Sequence, residues 1–330
     1  MSKNFLQALQ QKELSEFVGG SANVATLLYL QYLADLIHQM SCKNSKPFKT
    51  KQDIYIAQPE LYQLSTAIHQ TIGLGLNYRS SFSYDPNQKI MQHISFLFQK
   101  IIHILNNSMH IDPAALNLHP NRMQVCSFFE QLWNETRGFA TSTPVINNLA
   151  QHERLIQTQC TENSRIVSRL LRTHEQIQVT KLSYLFEIGS SSQTVETRII
   201  EQGLVRLKAD LISEIQKLNP NYLFCTQWRI QRTLYGQYYL NMLIYHDANH
   251  SSLHIPQGNL SQQLNDTNDH LIQLVLSNPI TGNLQVSKNA LQGYSSLADW
   301  KELFKIMVSP LKYYYYQSRK ISPSFNNIIY

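Results

Sequence analysis

Apolar and polar positions alternate with two different periods along this chain, and the period changes near residue 178. Before that point the spacing is helical. Ser21 is placed to cap a helix carrying Leu27, Leu28, Leu30, Leu33 and Ile37. Residues 87–108 place apolar side chains at 91, 94, 98, 101 and 105, the i, i+3, i+4, i+7 rhythm of one helix face, and again at 90, 97 and 104, so the buried face is wide. Pro113, Pro120 and Pro144 punctuate the next stretch of chain. A long polar helix is predicted over residues 145–176, interrupted around Thr161, Glu162 and Asn163. Between the first two helices, residues 42–52 read as a basic loop with Lys43, Lys46, Lys49 and Lys51 around Pro47.

After residue 178 the period falls to two. Leu182, Tyr184, Phe186 and Ile188 alternate with Lys181, Ser183 and Glu187, the pattern of a half-buried strand. A helix follows with a clean apolar stripe at Ile200, Leu204, Leu207, Leu211, Ile215 and Leu218, ended by Asn219, Pro220 and Asn221. Two strands come next, with Tyr222, Phe224, Trp228 and Ile230 sharing one face of the first and Tyr238, Leu240, Met242 and Ile244 one face of the second. Their short link around Gly236 predicts an antiparallel hairpin. A polar loop spans residues 247–265, residues 271–276 form a short apolar piece, and a last helix starts near Leu297. The expected class is α+β, with a helical N-terminal half and a C-terminal antiparallel sheet with packed helices. The expected division is an accessory domain over residues 1–176 and an α+β domain over residues 177–330.

Composition narrows the function classes. The 330 residues carry a formal charge of +6 and a pI near 9.0, which suits an acidic partner such as nucleic acid. Only 15% are charged, while Asn and Gln make up roughly a sixth, dispersed as polar surface. With 11 glycines there is little material for phosphate-cradling loops. Cys42, Cys126, Cys160 and Cys225 form no C-x-x-C pair and read as reduced thiols of a cytoplasmic protein. The first residues lack an apolar signal core, and the most apolar stretches, 24–40 and 90–105, are too interrupted to span a bilayer, so no membrane role is expected. Walker loops, G-x-S-x-G elbows, H-E-x-x-H motifs and zinc spacings are absent from the sequence.

Residues 178–325 resemble the replication-initiator-like proteins of filamentous phages and prophages, the inovirus type, which are similar to rolling-circle HUH endonucleases. The resemblance lies in the strand–helix–hairpin order, in Gln227, Trp228 and Arg229 followed by residues 236–241 (Gly-Gln-Tyr-Tyr-Leu-Asn), and in a tail reading Ser309, Pro310, Leu311, Lys312 and then residues 319–324 (Arg-Lys-Ile-Ser-Pro-Ser). It implies a strand-borne pair of metal-binding histidines and a helix-borne tyrosine that attacks the scissile phosphate. Tyr238 and Leu240 stand at the histidine positions and Pro310 at the tyrosine position, so the resemblance implies a degenerate nicking site. A one-residue slip would set Tyr239 and Asn241 there instead, on the other strand face.

Several residues remain as candidates. Tyr313, Tyr314, Tyr315 and Tyr316 are expected to form a partly buried aromatic cluster with hydroxyls toward water; if helical, Tyr313 and Tyr316 share a face, and either is a candidate for a relocated nucleophile. The same tyrosines, interleaved with Lys305, Lys312, Arg319 and Lys320, also suit a surface on which single-stranded DNA stacks. Lys43, Lys46, Lys49 and Lys51 are candidate phosphate contacts or simply a solvated loop. His246, His250 and His254 recur every fourth residue and read as loop residues; a relocated metal site would draw first on His246 and Asp247, with Asn241 as an oxygen donor, and would take Mg or Mn. No other cofactor is expected. The leading expectation is a DNA-binding replication-initiator-like protein of a prophage or mobile element without an intact nicking site, its helical half contacting DNA or a protein partner. The alternatives are a non-catalytic interaction protein on the same scaffold and an active nickase with a relocated tyrosine.

Overall fold

The computed structural model describes residues 21–42, 44–73, 88–107, 112–188, 197–232, 236–249, 253–256, 260–263, 271–279, 284–288 and 295–330. Its first half contains helices α1 (Ser21–Ser41), α2 (Pro59–Gly73), α3 (Gln92–Asn106), α4 (Arg122–Ala140) and α5 (Thr143–Thr173). A small hairpin, β1 (Phe48–Lys51) and β2 (Ile54–Ala57), lies between α1 and α2, and strand β3 (Gln88–Ile90) precedes α3. Thus the expected loop at 42–52 is a strand in its second half. The helix predicted from residue 87 starts only at Gln92, because residues 88–90 pair with the C-terminal tail.

The second half is built on β4 (Gln176–Ile188), followed by α6 (Thr197–Leu218), β5 (Leu223–Arg232), β6 (Tyr238–Asp247), β7 (Leu260–Gln263), β8 (Leu271–Pro279), β9 (Leu284–Ser287), α7 (Leu297–Val308), β10 (Tyr314–Tyr316) and β11 (Asn326–Ile329). The sheet order is β11-β5-β6-β4-β8-β7, every pairing antiparallel, and β9 shares the second edge of β4 with β8. The α+β class holds, with helices leading and an antiparallel sheet following.

Helices cover both faces of this sheet, and the two covers have different origins. On one face, α6 buries Leu204, Leu207, Leu211 and Ile215, none more than 1% exposed, and each contributes roughly 1.5–3 kcal/mol by leaving water. That face carries Trp228, Ile230, Tyr238, Leu240, Met242, Ile244 and His246, as the register requires. The opposite face carries Cys225, Gln227, Arg229, Asn241, Leu243 and Tyr245, and lies under α5 and α7. Both faces being covered explains why β6 is buried from Tyr238 to His246 instead of alternating, and why β4, expected to be half-buried, buries Val179 and Ser183 on one face as well as Leu182 and Tyr184 on the other.

The long helix α5 therefore packs with the second half as well as the first. His152 reaches the carbonyl of Leu311, Gln159 donates to the carbonyl of Pro323 and accepts from the amide of Phe325, and Asn163 bonds to Gln227 and Tyr245. Buried apolar side chains run without a break from α1 to Phe325, so the division expected near residue 177 is not a gap in the packing. The predicted interruption at 161–163 is also absent: α5 is continuous, because Asn163 spends its amide on the sheet and not on its own backbone.

Candidate nucleic-acid interface

The tail that carries the four tyrosines is not helical. After α7, a 3₁₀ turn (Ser309–Lys312) leads to Tyr313, and Tyr314, Tyr315 and Tyr316 form β10 against β3. Strand geometry sends neighbouring rings to opposite sides, yet all three are buried, at 3%, 4% and 2% exposure. Tyr315 packs on the His152 ring at 4.8 Å. Tyr314 donates its hydroxyl to the carbonyl of Arg232 at 2.6 Å. The expected sharing of one helix face by Tyr313 and Tyr316 is thereby corrected, as is the expectation that the hydroxyls reach water: those of Tyr314 and Tyr316 are used inside.

Tyr316 is the informative one. Its ring lies 5.9 Å from that of Tyr238 on β6, edge to face. Its hydroxyl donates to Glu201 of α6 at 2.6 Å, and Ser318 donates to the other oxygen of the same carboxylate at 2.7 Å. Glu201 is only 4% exposed, and the Arg232 guanidinium lies over both rings, 5.3 Å from Tyr238 and 5.4 Å from Tyr316. Burial raises the phenol far above its ordinary range, and the adjacent carboxylate of Glu201 raises it further. With the residue 2% exposed and the hydroxyl donated to Glu201, the phenol oxygen presents no free face toward solvent. Tyr313 is half-buried and its phenol is also raised, by burial first and then by Asp35.

The candidate metal ligands do not converge. His246 is 1% exposed on the α6 face, with Nε2 at 2.9 Å from the Thr180 hydroxyl and Nδ1 near the Asp247 carbonyl. Asn241 sits on the other face, accepting a hydrogen bond from Ser183 at 2.9 Å across the β4–β6 register. Asp247 accepts from the backbone and side chain of Asn249, closing a turn. Residues 241 and 247 are roughly 20 Å apart along the strand. Asp247 also lines a shallow open pocket of about 320 Å³ with His174, Glu175, Gln176 and Asn249. Among the described residues no group of three or more His, Cys, Asp or Glu is arranged to hold a metal ion. His254 is exposed and held by its backbone to Asn219; His250 lies outside the described residues.

The cations fare differently from the aromatics. Lys305, Lys312, Arg319 and Lys320 are all exposed, while Phe304 and Phe325 are buried, so the interleaving of rings and charges is an inside–outside alternation and not a stacking platform. Lys312 lies 5.9 Å from the Tyr313 ring. In the first half, Lys46, Lys49 and Lys51 are exposed and make no ion pair among the described residues, and Lys43 lies outside them. Lys49 and Lys51 stand on β1, and their base is anchored. Arg137 of α4 bonds to the carbonyls of Met40 and Ser45, Trp133 donates to the Ser45 hydroxyl at 3.2 Å, and Ser45 donates to Glu60 at 3.3 Å.

Sequence reasoning missed Glu201 and Arg232. A lone Glu in the apolar stripe of α6 was the available signal, standing three residues before Leu204. Among the described residues, no helix is long and apolar enough to cross a membrane. No protein-family model, curated protein or solved structure matches the chain.

Proposed function

We propose that this chain is a DNA-binding, replication-initiator-like protein of a prophage or similar mobile element that holds nucleic acid without nicking it. The observation that carries the reading is the state of Tyr316. It lies beside the strand position at which the resembled family keeps a metal ligand, and its phenol is sealed against Glu201. Around this inert centre the protein keeps exposed cations on the hairpin, without ion pairs among the described residues, and exposed cations in the tail, the residue types that contact phosphates. Four free cysteines fit a reducing compartment such as the cytoplasm.

The test is fluorescence anisotropy with labelled single-stranded and duplex DNA over a salt series, with and without manganese. Expected are salt-sensitive binding that manganese does not change, and no covalent adduct on denaturing gels. Absence of binding at low salt would overturn the reading and leave a scaffold for a protein partner. A manganese-dependent adduct would overturn the non-nicking part alone.

A further inference from the structure

The β1–β2 hairpin has two faces of different character. Its inner face packs Phe48 against Tyr55 at 5.1 Å, edge to face, over the helical core. Its outer face carries Lys49 opposite Ile56 and Lys51 opposite Ile54. Ile54 and Ile56 are 53% and 46% exposed, and both lysines are exposed. Two cations and two aliphatic side chains thus form a square on one side of a two-stranded ribbon. The acidic groups nearest in sequence are Asp53, at the turn, and Glu60, which accepts from Ser45.

The ribbon is also stiff. Gln52 and Asp53, the two turn residues, both have positive φ, 48° and 61°, the requirement of a tight type I′ turn. The side-chain amide of Asn117 bonds to both the N–H and the C=O of Tyr55, at 2.9 and 2.8 Å. This occupies the open edge of β2, so a partner strand cannot add there, and binding is left to the outer face. Leu118, 85% exposed, follows directly beside that edge.

We propose that this hairpin is a duplex-reading element, its outer face seated in a groove of double-stranded DNA with Lys49 and Lys51 on phosphates and Ile54 and Ile56 against base edges. The proposal rests on the nucleic-acid reading above and adds the form of DNA and the element that holds it. The ribbon is roughly 14 Å long, and a major groove about 12 Å wide admits such a ribbon. The face carries no aromatic ring, which sets it apart from surfaces that stack single strands. Its isoleucines supply the apolar contacts that thymine methyls accept.

The experiment uses the full chain, a fluorescein-labelled duplex of mixed sequence and one strand of that duplex. Lys49→Gln with Lys51→Gln should lower the duplex salt slope by about 2. Ile54→Thr with Ile56→Thr, which keeps β-branched residues in the strand, should weaken duplex binding about tenfold or more with the slope unchanged. Melting temperatures of both variants should match the parent, since all four side chains are exposed, and Lys217→Gln on α6 should bind as the parent does. If the parent binds no DNA, the functional reading fails and this inference with it. If the parent binds duplex and both hairpin variants bind equally well, the inference alone fails and the outer face belongs to a protein partner. Equal losses for single strand and duplex would overturn the groove assignment.

Discussion

Replacing Asn163 by Ala should be among the most damaging single changes in this protein, although the residue lies in the middle of a polar helix. Its Nδ2 donates to Gln227 Oε1 and to the Tyr245 hydroxyl, both at 2.7 Å, and its Oδ1 accepts from Trp300 Nε1 at 2.8 Å. Tyr245 in turn donates to Gln227 at 2.6 Å. All four side chains are at most 2% exposed, and burial raises the Tyr245 phenol well above its usual range, so it stays a donor. Truncation strands the Trp300 N–H, an orphaned buried donor costing about 1–3 kcal/mol, and opens a small cavity worth about 1 kcal/mol more. A total near 3 kcal/mol is a large share of a typical folding free energy of about 5–15 kcal/mol. Urea denaturation followed by circular dichroism reads it directly. Trp300→Phe removes the same N–H from the other side, so the double variant should cost about 1–2 kcal/mol less than the sum of the singles. A cost below about 1 kcal/mol for Asn163→Ala, or strict additivity with Trp300→Phe, would refute the account of α5 as a helix pinned to the sheet by this amide.

Three further outcomes follow from the packing. His93 is buried, and its pKa is lowered from 6.5 to about 4, by desolvation first and then by His152 and Lys312. The unfolded chain takes up this proton at higher pH than the folded one, so the stabilising contribution is complete above pH 6.5 and declines as pH falls toward 4. The loss is on the order of 3 kcal/mol, and His93→Gln should flatten that limb of a melting-temperature profile. Tyr316→Phe leaves Glu201 short of a charge-assisted donor and should cost about 2 kcal/mol in a denaturant titration while DNA affinity stays unchanged; a loss of binding without a loss of stability would return Tyr316 to the candidate site. Exchanging Gln52 for Asn and Asp53 for Gly should stabilise the chain by about 1 kcal/mol, seen as a rise of about 1–2 °C in melting temperature, because both positions have positive φ.

Local periodicity was enough for much of this fold. The apolar stripe of α6 follows from side-chain spacing within one element, because that helix buries a single face, and the short link around Gly236 announced the pairing of β5 with β6; the period of two in β4 marked a strand but not that both of its faces are covered. The exposed lysines of the hairpin were visible for the same reason, since charge alone keeps them in water. What the sequence left open depends on partners far away in the chain. Tyr314–Tyr316 became a strand because β3, more than 220 residues earlier, offers it an edge. The turn at Gln52 and Asp53 lacks the usual glycine, so nothing local announced the hairpin that turns a basic loop into a rigid two-faced ribbon. Asn163 reads as a helix breaker until Gln227, Tyr245 and Trp300 surround it. The sequence determined which residues carry charge and where the α6 helix and the β5–β6 hairpin lie. Only the tertiary structure decided which phenols are sealed and which cations face solvent on a rigid base, because burial and hydrogen bonding are properties of the neighbours and not of the residue.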